Sequence, residues 1–207
     1  MRIIFCCLLL LTGVIATAQK KGASAPATLS RFLTVGDTVP DMALYNIVSP
    51  GNITRLKDIK RRITILAFWS ATGTPSLQQL PRVDSIRRRF EKSVRVLLVT
   101  RNGSLTHVRE EAVEVIRRIE GYTEKKMPLT AVYIDTAATA LFFDQVTEPH
   151  YIWLDRNKKI IAITGGEALT ADNITALLSG KTLNLAVKPA IHTAGEAIQK
   201  HKAVLPK

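Results

Sequence analysis

An almost unbroken run of apolar and β-branched residues, Arg62–Trp69, constrains the fold more than any other feature of this 207-residue chain. Such a run is typical of a strand buried on both faces, as in a parallel or mixed sheet covered by helices. Val94–Thr100 predicts a second strand of the same kind. Between the two runs, Ser76–Lys92 carries apolar side chains near helical spacing. Strand, helix and strand in this order predict a βαβ unit with a right-handed crossover.

The second half of the chain adds further helix and strand patterns to this unit. They predict a helix, the two strands of a β-hairpin and a closing helix, over Thr106–Gly121, Tyr151–Asp155, Ile160–Thr164 and Ala171–Ser179. Gly121 is expected to stop the first of these helices, and Thr170 to cap the last. Two short apolar segments, Leu129–Asp135 and Leu141–Val146, are ambiguous between strand and helix. Together these patterns predict an α/β sandwich with a mixed sheet.

The first 18 residues have the pattern of an export signal. Arg2 gives a positive start, Ile3–Ile15 is almost wholly apolar, and Ala16-Thr17-Ala18 supplies the small residues that a signal peptidase requires. The apolar run is too short for a stable membrane-spanning helix, which needs about 20 apolar residues. A buried N-terminal helix is the alternative interpretation. We expect cleavage after Ala18, export to the periplasm or the medium, and no transmembrane segment after cleavage.

The remaining chain is predicted to have three parts. Residues 19–34 contain an alanine- and serine-rich stretch and indicate a flexible leader. Residues 35–187 contain the helix and strand patterns and form the predicted domain. Residues 188–207 are predicted to be a polar tail. This length suits one domain better than two.

The positions of the cysteines restrict the chemistry. Both of them, Cys6 and Cys7, lie within the predicted signal. A lipoprotein cysteine would follow the apolar run, so we expect no lipid anchor. After cleavage the chain would contain no cysteine, and it would form no disulfide, present no thiolate nucleophile and offer no thiolate to a metal. No two histidines are spaced i,i+4 on a predicted helix, so we expect neither a metal nor another cofactor.

The formal net charge of +12 indicates attraction to acidic partners. Basic doublets and triplets recur at Lys60–Arg62, Arg87–Arg89, Arg117–Arg118, Lys125–Lys126 and Lys158–Lys159. Nucleic acid is not the expected partner, because an exported protein rarely meets it. The alternative is that these side chains form solvated faces that keep the protein soluble.

A resemblance to a known family begins at the end of the first predicted strand. Phe68–Ser76 resembles the active-site segment of the TlpA/ResA-like, redoxin-type thiol–disulfide oxidoreductases, where a strand ending in Phe-Trp precedes Cys-x-x-Cys at the start of a helix. Gly73 and Ser76 stand at the two cysteine positions, so the chain resembles a degenerate member that lacks both. Pro75 and Pro81 match prolines that the family carries before and after the second position.

Other stretches resemble the same family in the same order along the chain. They are Gly36–Pro40, Leu56–Asp58, Glu148–Asp155, Asn157–Ile160 and Ile163–Gly165. The resemblance covers about residues 36–185. It implies a thioredoxin-like fold, with a central mixed β-sheet flanked by helices and an N-terminal extension. It also implies that Pro149 is the cis-proline of the family.

The resemblance implies no catalytic residue in this chain. In the family the helix N-terminus lowers the pKa of the first cysteine, and Gly73 has no side chain to replace that thiolate. Ser76 would need an adjacent base. His150 is the candidate base, and the alternative is that this histidine is exposed or on an edge strand. Thr74 and Ser76 either form an anion site with the helix N-terminus or simply cap the helix.

The surviving feature of the family's site is a peptide-binding groove. The resemblance implies that Trp69, Thr74, Pro75, Glu148 and Pro149 border this groove, where the family pairs with an extended polypeptide through backbone hydrogen bonds. Trp69 is alternatively a packing residue. We therefore expect a redox-inactive, periplasmic binding or accessory module that holds a polypeptide or an acidic partner. A residual enzyme acting without cysteine and a decayed, non-functional copy are the alternatives.

Overall fold

The computed structural model describes residues 32–49, 51–100, 105–124, 126, 129–134, 138–139, 142, 148–183, 185 and 188. The predicted signal lies outside the described residues, as do most of the leader and most of the tail. The strands are β1 Ala43–Asn46, β2 Ile53–Arg55, β3 Ile63–Trp69, β4 Val94–Thr100, β5 Ala131–Tyr133, β6 His150–Leu154 and β7 Ile160–Thr164. The helices are α1 Thr74–Arg89, α2 Leu105–Thr123 and α3 Ala171–Leu178, with short 3-10 helices at Leu56–Asp58 and Gly166–Ala168.

The strands form one mixed, seven-stranded sheet in the order β2-β1-β5-β4-β3-β6-β7. The central strands β3, β4 and β5 are parallel to one another, whereas β6 runs antiparallel to β3 and to β7. β1 pairs antiparallel with both β5 and β2. This arrangement confirms the predicted fold class, a mixed β-sheet with flanking helices. No described helix combines the length and the apolar character that crossing a membrane requires.

Among the described helices, α1, α2 and α3 pack on one face of the sheet. Because β3, β4 and β5 lie side by side in chain order, right-handed crossovers place α1 and α2 on the same side. The core on this face combines sheet residues with residues from each helix, among them Ile65, Val96, Trp153, Leu80, Val83, Ala112 and Ile174. This face therefore contains the larger apolar core, and it fixes the position of α1.

The opposite face has a second core without a long helix among the described residues. Its sheet residues include Leu66, Phe68 and Leu97, and they are covered by Leu33, Val39, Met42, Leu56, Ala138 and Phe142. Leu33 lies in the predicted leader, so ordered packing begins before residue 35. Residues outside α1, α2 and α3 thus complete this side of the domain.

The structure refines several predicted boundaries. α1 begins two residues earlier than the predicted Ser76, and α2 continues beyond Gly121, so this glycine does not stop the helix. Leu129–Asp135 contains the short strand β5, whereas of Leu141–Val146 only Phe142 is described. The hairpin of β6 and β7 is confirmed. The predicted cap of α3 is also confirmed, since the Thr170 side chain accepts a hydrogen bond from the backbone N–H of Asn173.

Strands β1 and β2 were not predicted. Every residue of β2 is exposed, and in β1 only Leu44 is buried. These strands are specified by backbone pairing at the edge of the sheet, which leaves little apolar periodicity in the sequence.

Two fully buried threonines occupy contrasting environments. Thr164 on β7 accepts a hydrogen bond of 2.9 Å from Nε1 of Trp153, which lies on the adjacent strand. The Oγ1 atom of Thr64 on β3 is buried and has no hydrogen-bond partner among the described residues. Both residues are 0% exposed. The two hydroxyls are therefore expected to contribute to stability with different signs.

We expect Thr164→Val to lower the free energy of unfolding by about 1–3 kcal/mol, because it leaves the buried Trp153 N–H without its acceptor. The measurement is the urea midpoint of the purified protein, followed by tryptophan fluorescence and circular dichroism.

Thr64→Val is the matched control, because it makes the same change of shape at an equally buried site. It removes an unpartnered hydroxyl, so the free energy of unfolding should stay within about 0.5 kcal/mol of the wild type or rise. Equal destabilisation by both substitutions would show that shape, and not the hydrogen bond, determines the effect.

Candidate functional site

The candidate site lies where β3 passes into α1. Residues 70–73 connect Trp69 to the helix, and Gly73 occupies the N-cap position with φ −87° and ψ 107°. Pro75 is in the first turn, where a residue without a backbone N–H removes no helical hydrogen bond. The first intrahelical bond runs from the N–H of Leu77 to the carbonyl of Gly73, at 3.1 Å. The positive end of α1 is thus presented at the carboxyl edge of the parallel strands.

The connecting loop is closed by its own hydrogen bonds. The hydroxyls of Ser70 and Thr72 lie 3.1 Å apart, and the N–H of Thr72 donates to the Ser70 hydroxyl at 3.3 Å. No side chain caps α1 at Gly73. Thr74 and Ser76 lie inside the helix, so the interpretation of these residues as helix caps is wrong. The hydrogen bonds between Ser70 and Thr72 hold the loop, and the hydroxyls of Thr74 and Ser76 make no capping bond.

Ser76 and Gly73 face a common space. Ser76 is 2% exposed, and its Oγ has no hydrogen-bond partner among the described residues. A Cβ atom added to Gly73 would lie 3.6 Å from this oxygen and 3.4 Å from Cβ of Ser70. The φ angle of Gly73 is one that any residue adopts, so the backbone does not require glycine there. Side chains at positions 73 and 76 would therefore meet at the helix N-terminus.

Trp69 differs from the other predicted groove residues in its burial. Its side chain is 3% exposed and belongs to the core beneath the helices. The indole Nε1 is buried and has no hydrogen-bond partner in the described part of the chain. Trp69 is therefore a packing residue, which is the alternative interpretation from the sequence. Thr74 and Pro75, by contrast, are exposed, and Gly73 is half-buried.

The Glu148–Pro149 loop lies beside this helix terminus. The peptide bond between the two residues is cis, as the resemblance implied. β6 pairs with β3 so that His150 is opposite Phe68. Continuing this antiparallel register by one and two residues places Pro149 beside Trp69 and Glu148 beside Ser70. Both loop residues are half-buried. The region between this loop and the first turn of α1 is called the groove.

His150 does not approach Ser76. Its side chain is 6% exposed and contacts the Phe68 ring edge-on, with ring centroids 6.0 Å apart. Phe68 belongs to the core on the face opposite to the helices, whereas α1 and Ser76 lie on the helical face. The hypothesis of a Ser76–His150 pair is therefore wrong. The alternative of an exposed or edge-strand histidine is also wrong, because β6 lies between β3 and β7.

Sequence reasoning missed a close contact behind the cis-proline. A Cβ atom added to Gly166 would lie 2.9 Å from Cδ of Gln79 and 3.1 Å from Cγ of Pro149. Gly166 therefore lies in a tight space between α1 and the Glu148–Pro149 loop, where a larger residue would displace the end of the Gln79 side chain and press on Pro149. The carbonyl of Gly166 accepts a hydrogen bond of 3.2 Å from Arg82. No sequence pattern marks Gly166, because its packing depends on contacts with segments distant in the chain.

Lys188 is the second residue that the sequence did not reveal. Its N–H donates to the carbonyl of Ile163 at 3.0 Å, and its Nζ donates to the carbonyl of Pro149 at 2.9 Å. Burial lowers the pKa of Lys188, and the nearby Glu167 and Glu148 oppose this shift. The sequence predicts that Lys188 begins the polar tail. Instead it brings a positive charge to the edge of the groove.

The described groups around the groove carry no reactive nucleophile. Burial raises the pKa of the Tyr151 hydroxyl far above its usual value, with Glu167 adding to the shift and Arg82 opposing it. Tyr151 is thus a neutral hydroxyl at physiological pH. Within the described part of the chain, histidine, cysteine, aspartate and glutamate side chains nowhere gather in threes as they would around a metal ion. The start of α1 thus offers backbone groups, the helix N-terminus and the buried hydroxyl of Ser76.

Comparison with known proteins identifies the fold. No family model and no curated protein matches the chain. An uncharacterized conserved protein from Geobacillus kaustophilus has a similar structure, with a TM-score of 0.57 and 20% identity over 76% of this chain and 88% of its own. A putative thiol:disulfide interchange protein DsbE from Chlorobium tepidum gives a TM-score of 0.54 and 20% identity, over 70% of this chain and 99% of its own.

The thioredoxin domain of a thiol-disulfide oxidoreductase from Bacteroides vulgatus is also similar, with a TM-score of 0.52 and 18% identity over 73% of this chain and 99% of its own. At these identities the likeness concerns the backbone architecture and not the chemistry. The mixed sheet with flanking helices is consistent with the thioredoxin fold of these neighbours. The chain has the thioredoxin-like fold.

Proposed function

We propose that this protein is a redox-inactive, thioredoxin-like binding module that is exported to the periplasm and holds an extended polypeptide segment. The binding site is the groove between the first turn of α1 and the Glu148–Pro149 loop. The observation that supports the proposal is the meeting of positions 73 and 76 at the N-terminus of α1, beside the Glu148–Pro149 loop, with glycine and serine at these positions. The scaffold of a thiol–disulfide site is present, and the thiols are not.

The chemistry of the site supports redox inactivity. Thiol–disulfide exchange requires a thiolate that attacks a disulfide sulfur. Gly73 offers no side chain, and Ser76 offers a hydroxyl that stays protonated without an adjacent base. His150 is separated from Ser76 by the sheet. Neither position therefore supplies a nucleophile for this exchange.

The shape of the groove supports peptide binding. Exposed Thr74 and Pro75 form one wall, and half-buried Glu148 and Pro149 form the other. An extended polypeptide binds such a loop by adding backbone hydrogen bonds in the manner of a strand. The helix N-terminus and Lys188 favour acidic groups in the ligand. The net charge of +12 adds long-range attraction for an acidic partner.

We expect the exported protein to reduce insulin no faster than the uncatalysed reaction with dithiothreitol, because it has no thiol at the helix N-terminus. The measurement is the turbidity assay with excess reductant. Clear turnover by the wild-type protein would contradict the proposal.

Gly73→Cys/Ser76→Cys is the matched variant that tests the scaffold. Because a Cβ at position 73 would lie 3.6 Å from the side-chain oxygen of Ser76, the two thiols should form an internal disulfide. Thiol titration with and without reductant detects it, and Gly73→Cys alone should form none. A double variant whose thiols stay free under oxidising conditions would show that the site geometry has been lost.

We expect Thr74→Arg to weaken polypeptide binding by about tenfold, or about 1.4 kcal/mol. A long side chain at this exposed position would obstruct the groove. The probe is fluorescent insulin B chain with its cysteines blocked by iodoacetamide, and the measurement is fluorescence anisotropy at several salt concentrations.

Ser85→Arg is the control for charge, because Ser85 is exposed on the same face of α1, roughly 16 Å along the helix. It should leave binding unchanged. Equal affinities for the two variants would exclude the groove as the site. If in addition salt abolished binding, attraction to the basic surface would be the explanation.

A further inference from the structure

A cavity of about 360 Å³ lies at the opposite edge of the sheet from the groove. Its apolar floor is formed by Leu44, Leu97 and Val132 on three neighbouring strands. Ile59, which follows the first 3-10 helix, borders it. This region is on the face without the long helices, where the sheet residues of the second core lie. The cavity is therefore separated from Gly73 by the length of the central strands.

The rim of this cavity is cationic. Lys60 and Arg61 precede β3, and Arg95 is the second residue of β4. All three are exposed. Asp58 is the acidic residue among the lining side chains. The rim thus has three positive charges against one negative charge.

The two arginines of the rim are not neutralised by the described residues. Arg95 donates a hydrogen bond of 3.1 Å to the Thr130 hydroxyl, and within the described ranges no carboxylate lies within ion-pair distance of Arg95 or Arg61. Desolvation lowers the pKa of Arg95, and the positive charges of Arg61 and Arg87 lower it further, with Glu91 opposing. Like charges held together in this way repel one another. A bound anion would remove that repulsion.

The combination of an apolar floor and a cationic rim defines the ligand. An inorganic anion would contact the cationic rim and leave the rest of the cavity unfilled, whereas a neutral apolar molecule would fill the cavity and leave the rim without a counter-charge. The volume is at the lower end of the range for small-molecule sites. We propose that this cavity binds a small amphipathic anion, with a carboxylate or phosphate held by Arg61 and Arg95 and an aliphatic or aromatic body on Leu44, Leu97 and Val132.

The test uses octanoate as the probe, with octanol and inorganic phosphate as controls for its two halves. Binding to the ¹⁵N-labelled protein is followed by amide chemical shifts in titrations. We expect saturable octanoate binding with the largest shifts near Arg95 and Thr130, and binding at least tenfold weaker for octanol and for phosphate. Octanoate shifts confined to the groove near Thr74, or no saturable binding, would overturn the proposal.

Arg61→Gln and Arg95→Gln should each weaken octanoate binding by about tenfold, because each removes a charged partner of the carboxylate. Arg117→Gln is the matched control. Arg117 is an exposed residue of α2, distant from the cavity lining, and its loss changes the net charge equally. Equal weakening by all three variants would indicate general attraction to a basic protein and would overturn the assignment. Arg61 has no described partner, so its variant stays informative if Arg95→Gln disturbs the fold.

Discussion

The position of β3 determines the rest of the structure. All seven of its residues are buried, and it pairs parallel with β4 and antiparallel with β6. Because the same strand ends at Trp69 and leads into α1, its burial also fixes where the helix N-terminus emerges. Its register with β6 brings Pro149 to the same edge. The groove is therefore a consequence of the packing of β3, and it does not depend on the identity of residues 73 and 76.

The elements that the sequence predicted well are those in which burial is continuous. β3, β4 and the β6–β7 hairpin have apolar runs because one or both faces of each strand lie in a core. β1 and β2 have too few buried side chains to leave such a pattern. The extension of α2 beyond Gly121 has a related cause, since an isolated glycine lowers helical stability by about 1 kcal/mol and tertiary packing readily outweighs this.

The sequence predicted which two loops adjoin the start of α1, but it did not predict which face of the sheet each side chain reaches. The resemblance placed the two loops, because each is marked by a short local motif around Gly73 or Pro149. Local motifs do not determine which sheet face a side chain reaches. Trp69 and His150 consequently lie in cores on opposite faces, and neither lines the groove as a reactive group. Lys188 joins the site through backbone pairing with Ile163, a contact between segments that have no common sequence pattern.

The stability of the fold depends little on which residues stand at positions 73 and 76. Gly73 is at a φ that other residues adopt, with space for a Cβ, so its replacement would need little adjustment of the backbone. The buried Ser76 hydroxyl, which has no hydrogen-bond partner in the described part of the chain, costs about 1–3 kcal/mol. That cost is small beside the burial of β3 and the apolar face of α1. Since the fold gains little from these two positions, the loop after β3 and the start of α1 do not depend on which residues stand there.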